Sequence, residues 1–167
     1  MRWVSHKTVT AGIVYAVTGD LTATCAATVG SIVPDLLEFP FGSLLRHRGV
    51  THYWPLYALP FVGFNLASVY YQNFELFYVS MFFMGALLHW FEDGLSKSGV
   101  SLWPFRGRFA ANWYKTFTVS EFVTTAVLVA ASVTYCWYAG YFKQAYVRGE
   151  TERLVVIAQI MFHKVLR

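Results

Sequence analysis

Four of the five histidines stand at the edges of very apolar segments, each within a few residues of a carboxylate or another histidine in the sequence or the predicted fold. His47 and His52 bracket Arg48-Gly49-Val50-Thr51, just after Pro34-Asp35-Leu36-Leu37-Glu38. His89 and Asp93 close a later apolar run, and His6 opens the first one. A neutral imidazole is the commonest metal ligand, and carboxylates complete sites for zinc, manganese or iron. Ionisable groups beside hydrocarbon are costly, so several together call for a shared reason, and a metal centre supplies it. A charged loop between two helices would explain Arg46 and Arg48 but not the histidines and carboxylates together.

The candidate ligands are His6, Asp35, His47, His52, His89 and Asp93. His89 and Asp93 are four apart, hence on one helix face, and the Asp can ligate or orient the imidazole. Glu92 points elsewhere, as an outer partner or a solvated group. Six nitrogen and oxygen ligands exceed the three protein ligands plus water of one catalytic zinc. Either two ions lie close together, or some members orient others. The chemistry expected is hydrolysis: a bound divalent ion lowers the pKa of its water to about 7, and two ions can hold both oxygens of a phosphoester in displacement. Arg48 would stabilise charge developing on phosphoryl oxygens, and Thr51 would hydrogen-bond one. Glu38 or Glu121 would carry a proton.

The elements that must position these residues are predicted from apolar runs and breakers. Residues 8–33 are interrupted by Thr18-Gly19-Asp20. A single spanning helix would put His6 and Asp35 on opposite membrane faces and bury Asp20. Two short helices, about 7–17 and 20–33, with Asp20 as cap, return His6 to Asp35 as a re-entrant or interfacial hairpin. Pro34 is expected to end the second helix and 35–53 to be a polar loop. Residues 54–72 and 74–91 form two spans joined tightly at Gln72-Asn73, and 119–142 form the last. The loops 35–53 and 92–118 then share one side, which is where the candidate ligands are. Trp103, Phe105, Phe109, Trp113 and Tyr114, interleaved with Lys97, Arg106, Arg108 and Lys115, suit a headgroup-depth belt. Residues 151–167 read as an amphipathic helix with an acidic start and a basic end, lying on the membrane or on a partner; His163 there is a helix-end cation.

Composition sets the class. Of 167 residues, 56% are hydrophobic and only 13% charged, against about 25% charged in a typical soluble domain. With a mean hydropathy of +0.43, this is an all-α integral membrane protein. The expected organisation is a membrane-embedded domain over 1–150, with a short hairpin and about three full spans, followed by the 151–167 helix. A net charge of +4, dispersed along the chain, suits contact with anionic lipid and not nucleic acid. Cys25 and Cys136 sit alone in apolar runs, so no thiolate site or disulfide is expected. The basic residues lean towards a cytoplasmic active face.

The chain resembles the predicted membrane-bound metal-dependent hydrolases of the YdjM type. The resemblance rests on Ser5-His6, Pro34-Asp35-Leu36-Leu37-Glu38, His47-Arg48-Gly49-Val50-Thr51-His52, His89-x-x-x-Asp93, Trp103-Pro104 and Ser120-Glu121. It covers about residues 5–125, and the His-Arg-Gly-x-Thr-His core is its most specific part. One position departs, a Glu at 38 where an Asp-x-Asp pattern is commoner. The resemblance implies a bacterial inner-membrane hydrolase with one or two divalent ions, zinc first and manganese or iron as alternatives, loosely similar to zinc-dependent phospholipases C. Membrane lipid is the expected partner, with a protein partner or a second copy at the C-terminal helix. A non-catalytic subunit with a structural metal is the main alternative, and a transporter a more distant one.

Overall fold

The computed structural model describes residues 1–38, 50–102, 105 and 107–141. His47, Arg48, Trp103, Pro104, Arg106 and the 151–167 helix lie outside the described residues, as does the boundary at 150. The described residues are mostly helical, with one small hairpin and an isolated parallel bridge between Ser96 and Tyr114. It runs α1 (Trp3–Thr18), α2 (Leu21–Gly30), α3 (Val33–Glu38), a 3₁₀ turn (Val50–His52), α4 (Pro55–Tyr71), α5 (Phe74–Gly94) and α6 (Val119–Tyr138). Between α5 and α6, β1 (Val100–Ser101) pairs antiparallel with β2 (Arg108–Phe109). Helix α5 lies between α4 and α2, while α1 packs on both α2 and α6.

The break in the first apolar segment follows from its residues. Gly19 ends α1 in the left-handed conformation (φ 60°), and its N–H caps the Tyr15 carbonyl. Asp20 then caps α2 by accepting from the Ala23 amide at 2.7 Å. The expected short hairpin is therefore present. Pro34 behaves differently from expectation. Helix α2 already ends at Gly30, and Pro34 sits in the first turn of α3, where a missing N–H costs no hydrogen bond. Asp35 and Glu38 consequently lie on a helix and not in a loop.

The α4–α5 connection is as tight as the sequence suggests. Gln72 adopts φ 49°, and Asn73 accepts from the amides of Glu75 and Leu76. By length and composition α5 and α6 can each cross a membrane. Helix α4, 17 residues with Pro60 inside, is about 25 Å long, short of a hydrocarbon core of about 30 Å.

Helices α2 and α5 meet through glycines. A Cβ at Gly30 would lie 1.9 Å from the Phe82 carbonyl oxygen, and one at Gly85 would lie 1.9 Å from that of Ala27. With Ala23, Ala27 and Ala86 fully buried nearby, the two backbones touch. One residue beyond Gly30 is Ser31, and one turn beyond Gly85 is His89. The glycine contact therefore sets the end of the bundle where the candidate ligands gather.

Candidate metal centre

Five of the six candidate ligands converge at that end. His6 comes from the first turns of α1, Asp35 from α3, His52 from the 3₁₀ turn, and His89 and Asp93 from the end of α5. His6 and His89 are fully buried, and His52 and Asp93 are each 2% exposed. Asp35 keeps 19% of its side chain accessible, so the cluster opens on its side.

The outer nitrogen of each imidazole is held by an acceptor. His6 Nδ1 lies 2.6 Å from Glu92 Oε2, whose other oxygen accepts from Thr10 Oγ1 at 3.0 Å. His52 Nδ1 lies 2.9 Å from Glu38 Oε1, which also accepts from Thr51 Oγ1 at 2.9 Å. His89 Nδ1 lies 2.6 Å from the Ser31 carbonyl, which can only accept. Assigned from these partners, each Nδ1 carries the proton and each Nε2 presents a lone pair inward.

Those lone pairs meet one another and two carboxylates. His52 Nε2 and His89 Nε2 are 3.1 Å apart, and each is 3.5 Å from Asp35 Oδ1. His6 Nε2 is buried with no hydrogen-bond partner, 3.4 Å from Asp93 Oδ1. Two nitrogen lone pairs 3.1 Å apart repel unless a cation or proton lies between them. The donor set is mixed nitrogen and oxygen, which fits zinc, manganese or iron.

Around this core stand groups that sequence reasoning did not single out. Trp3 Nε1 donates to Asp35 Oδ2 at 2.9 Å, and the α-ammonium of Met1 lies 2.7 Å from Asp93 Oδ1. Tyr57 donates its hydroxyl proton to the Thr51 carbonyl and so braces the turn that carries His52. Thr10, one helical turn after His6, was legible in principle; the Ser31 carbonyl was not, since every residue has one.

Two expectations are altered. Glu121 is fully buried, and its oxygens accept from the amides of Arg2 and Phe117 and from the Ser5 hydroxyl at 2.6–3.0 Å. These are the contacts of a clamp joining the start of α1 to α6. Tyr114, expected in an aromatic belt, is fully buried and donates to the Glu92 carbonyl at 2.9 Å, pinning the 95–118 segment to α5. Phe105 and Trp113 are exposed, as a belt requires.

No curated protein and no solved structure matches the chain. The pattern of one family does, described as YdjM inner membrane protein, and it covers residues 1–165. The resemblance read from the His-Arg-Gly-x-Thr-His core and its partners thus extends over nearly the whole sequence, and the chain belongs to the YdjM inner membrane protein family.

Proposed function

We propose that this chain is a membrane-bound metal-dependent hydrolase acting on a phosphoester of a membrane lipid. The observation that carries the reading is the set of three imidazoles with Nδ1 committed outward and Nε2 gathered beside two carboxylates, open at Asp35. A divalent ion held there, zinc first by its donors, supplies Lewis acidity and a nucleophilic water at neutral pH. The chain's own groups do the rest. Glu38 and Glu92 orient the ligands. Glu38, between Thr51 and His52, is the carboxylate best placed to move a proton near the open side. Arg48, in the segment leading into the His52 turn, offers a planar cation to phosphoryl oxygens.

Exposed Arg2, Lys97, Arg108 and Lys115 favour anionic headgroups at this end of the bundle, and by the positive-inside tendency a cytoplasmic face. In this reading α4 is a third span in a thinned bilayer, α1 and α2 form the interfacial hairpin, and the C-terminal segment meets lipid or a partner. The near-complete burial of His6, His89 and Asp93 favours one other reading, an ion that clamps the fold of a non-catalytic subunit.

The test uses the purified full chain in phospholipid nanodiscs. Release of phosphorylated headgroup, abolished by chelation, restored by zinc and absent in His89→Ala, is the expected result. Full metal loading without hydrolysis of any phospholipid class would discard the enzyme and leave the clamp.

A further inference from the structure

The ligand atoms fall into two sets that share only His89. His6, His89 and Asp93 form one, and Asp35, His52 and His89 form the other, with the atoms of each set within 4.8 Å of one another. An imidazole whose Nδ1 proton is committed has a single lone pair, so His89 ligates one ion and not two.

The distances decide which. Two ligand atoms on one tetrahedral ion, each bonded at about 2.0–2.2 Å, stand roughly 3.3–3.6 Å apart. The triangle of His52 Nε2, His89 Nε2 and Asp35 Oδ1, with edges of 3.1, 3.5 and 3.5 Å, approaches that face closely. His6 does not join it. Its ring stacks on that of His89, with centroids 3.9 Å apart and planes inclined by 24°. A lone pair lies in its ring plane, and stacked planes so close to parallel do not meet at one ion. His6 Nε2 is instead buried without a hydrogen-bond partner, 3.4 Å from Asp93 Oδ1. The other Asp93 oxygen, Oδ2, is turned towards His52 Nε2 at 3.8 Å. One carboxylate thus faces both sets.

We propose that the cluster holds two ions, the first on Asp35, His52 and His89, the second on His6 and Asp93, with the Asp93 carboxylate bridging them. The proposal rests on the metal-centre reading above and adds its nuclearity. The Met1 nitrogen lies 2.7 Å from the same Asp93 oxygen, and an ion beside His6 would take its place there. The second ion has fewer protein ligands than the first, so it binds more weakly and keeps more open positions. Two neighbouring ions are the arrangement suited to holding both the attacking and the leaving oxygen of a phosphoester.

The test is metal titration of the detergent-purified, chelator-stripped full chain, read by elemental analysis and calorimetry, with Mn(II) electron paramagnetic resonance as a second readout. Wild type should take up about two equivalents in separable steps, with a spin-coupled Mn(II) spectrum when both are bound. His6→Gln keeps a hydrogen-bonding group for Glu92; it should retain the tighter equivalent, lose the weaker and show only isolated Mn(II). Circular dichroism and a monodisperse elution profile verify that this variant is folded; if it is not, the wild-type spectrum alone decides. A single equivalent in wild type, an uncoupled spectrum in the doubly loaded protein, or two equivalents persisting in folded His6→Gln would overturn the bridged pair while leaving a metal centre. Absence of any bound ion would overturn both.

Discussion

An imidazole binds a metal through one nitrogen only when its proton is kept on the other, so the groups behind the ligands decide whether they can act. Glu92 fixes His6 at 2.6 Å, Glu38 fixes His52 at 2.9 Å and the Ser31 carbonyl fixes His89 at 2.6 Å. Loss of such a partner typically lowers metal affinity about 10–100-fold. Glu92→Gln and Glu38→Gln are each expected to weaken binding by that factor without abolishing it, measured by competition against a chromogenic chelator. An unchanged affinity would show that the two carboxylates do not orient the ligands. Glu121→Ala should behave oppositely. It removes the acceptor of the part-buried Arg2 and Phe117 amides, at about 0.5–1.5 kcal/mol for each hydrogen bond lost, and should lower the melting temperature of a chain that still binds metal. Residue types and spacing made the candidate ligands legible, because His and Asp are rare in apolar chains. The partner of His89 was not, because a backbone carbonyl leaves no mark in a sequence.

Secondary-structure elements bring these residues together by approaching unusually closely. Helices α2 and α5 touch at Gly30 and Gly85, and a methyl group at either would sit 1.9 Å from a backbone oxygen of the opposite helix. Gly85→Ala is expected to push the helices apart, costing at least about 1–3 kcal/mol and separating His89 from the Ser31 carbonyl. Thermal melting and metal content should fall together. Asp20→Ala supplies the contrast: it removes the α2 cap at the far end of the hairpin and should cost about 1 kcal/mol with metal content unchanged. The turn at Thr18-Gly19-Asp20 was readable from its breakers, since glycine tolerates positive φ and Asp caps. The role of Pro34 was not, because a proline that stops one helix and one that starts the next look alike until the preceding helix is seen to end at Gly30.

For the molecule as a whole, the cluster ties four elements, α1, α3, the 3₁₀ turn and α5, to one point. An ion bound only by the folded state stabilises it by about 2.7 kcal/mol at a hundred times its dissociation constant. Chelation should therefore lower the melting temperature of wild type and leave that of His89→Ala unmoved; equal shifts in both would mean that the chelator acts elsewhere. Composition, hydropathy and the His-Arg-Gly-x-Thr-His core determined by themselves that this is a helical inner-membrane protein of the YdjM family, because burying an apolar chain and recognising a short motif both depend on residue order alone. Alternating apolar runs and breakers also placed α1, α2, α4, α5 and α6 to within about four residues, but not α3, whose residues were expected in a loop. The β hairpin, the burial of Tyr114 and the grouping of the candidate ligands into two sets that share His89 were decided only by tertiary structure. They depend on which backbones can touch and which lone pairs face one another, and such distances between residues far apart in the chain are set by packing.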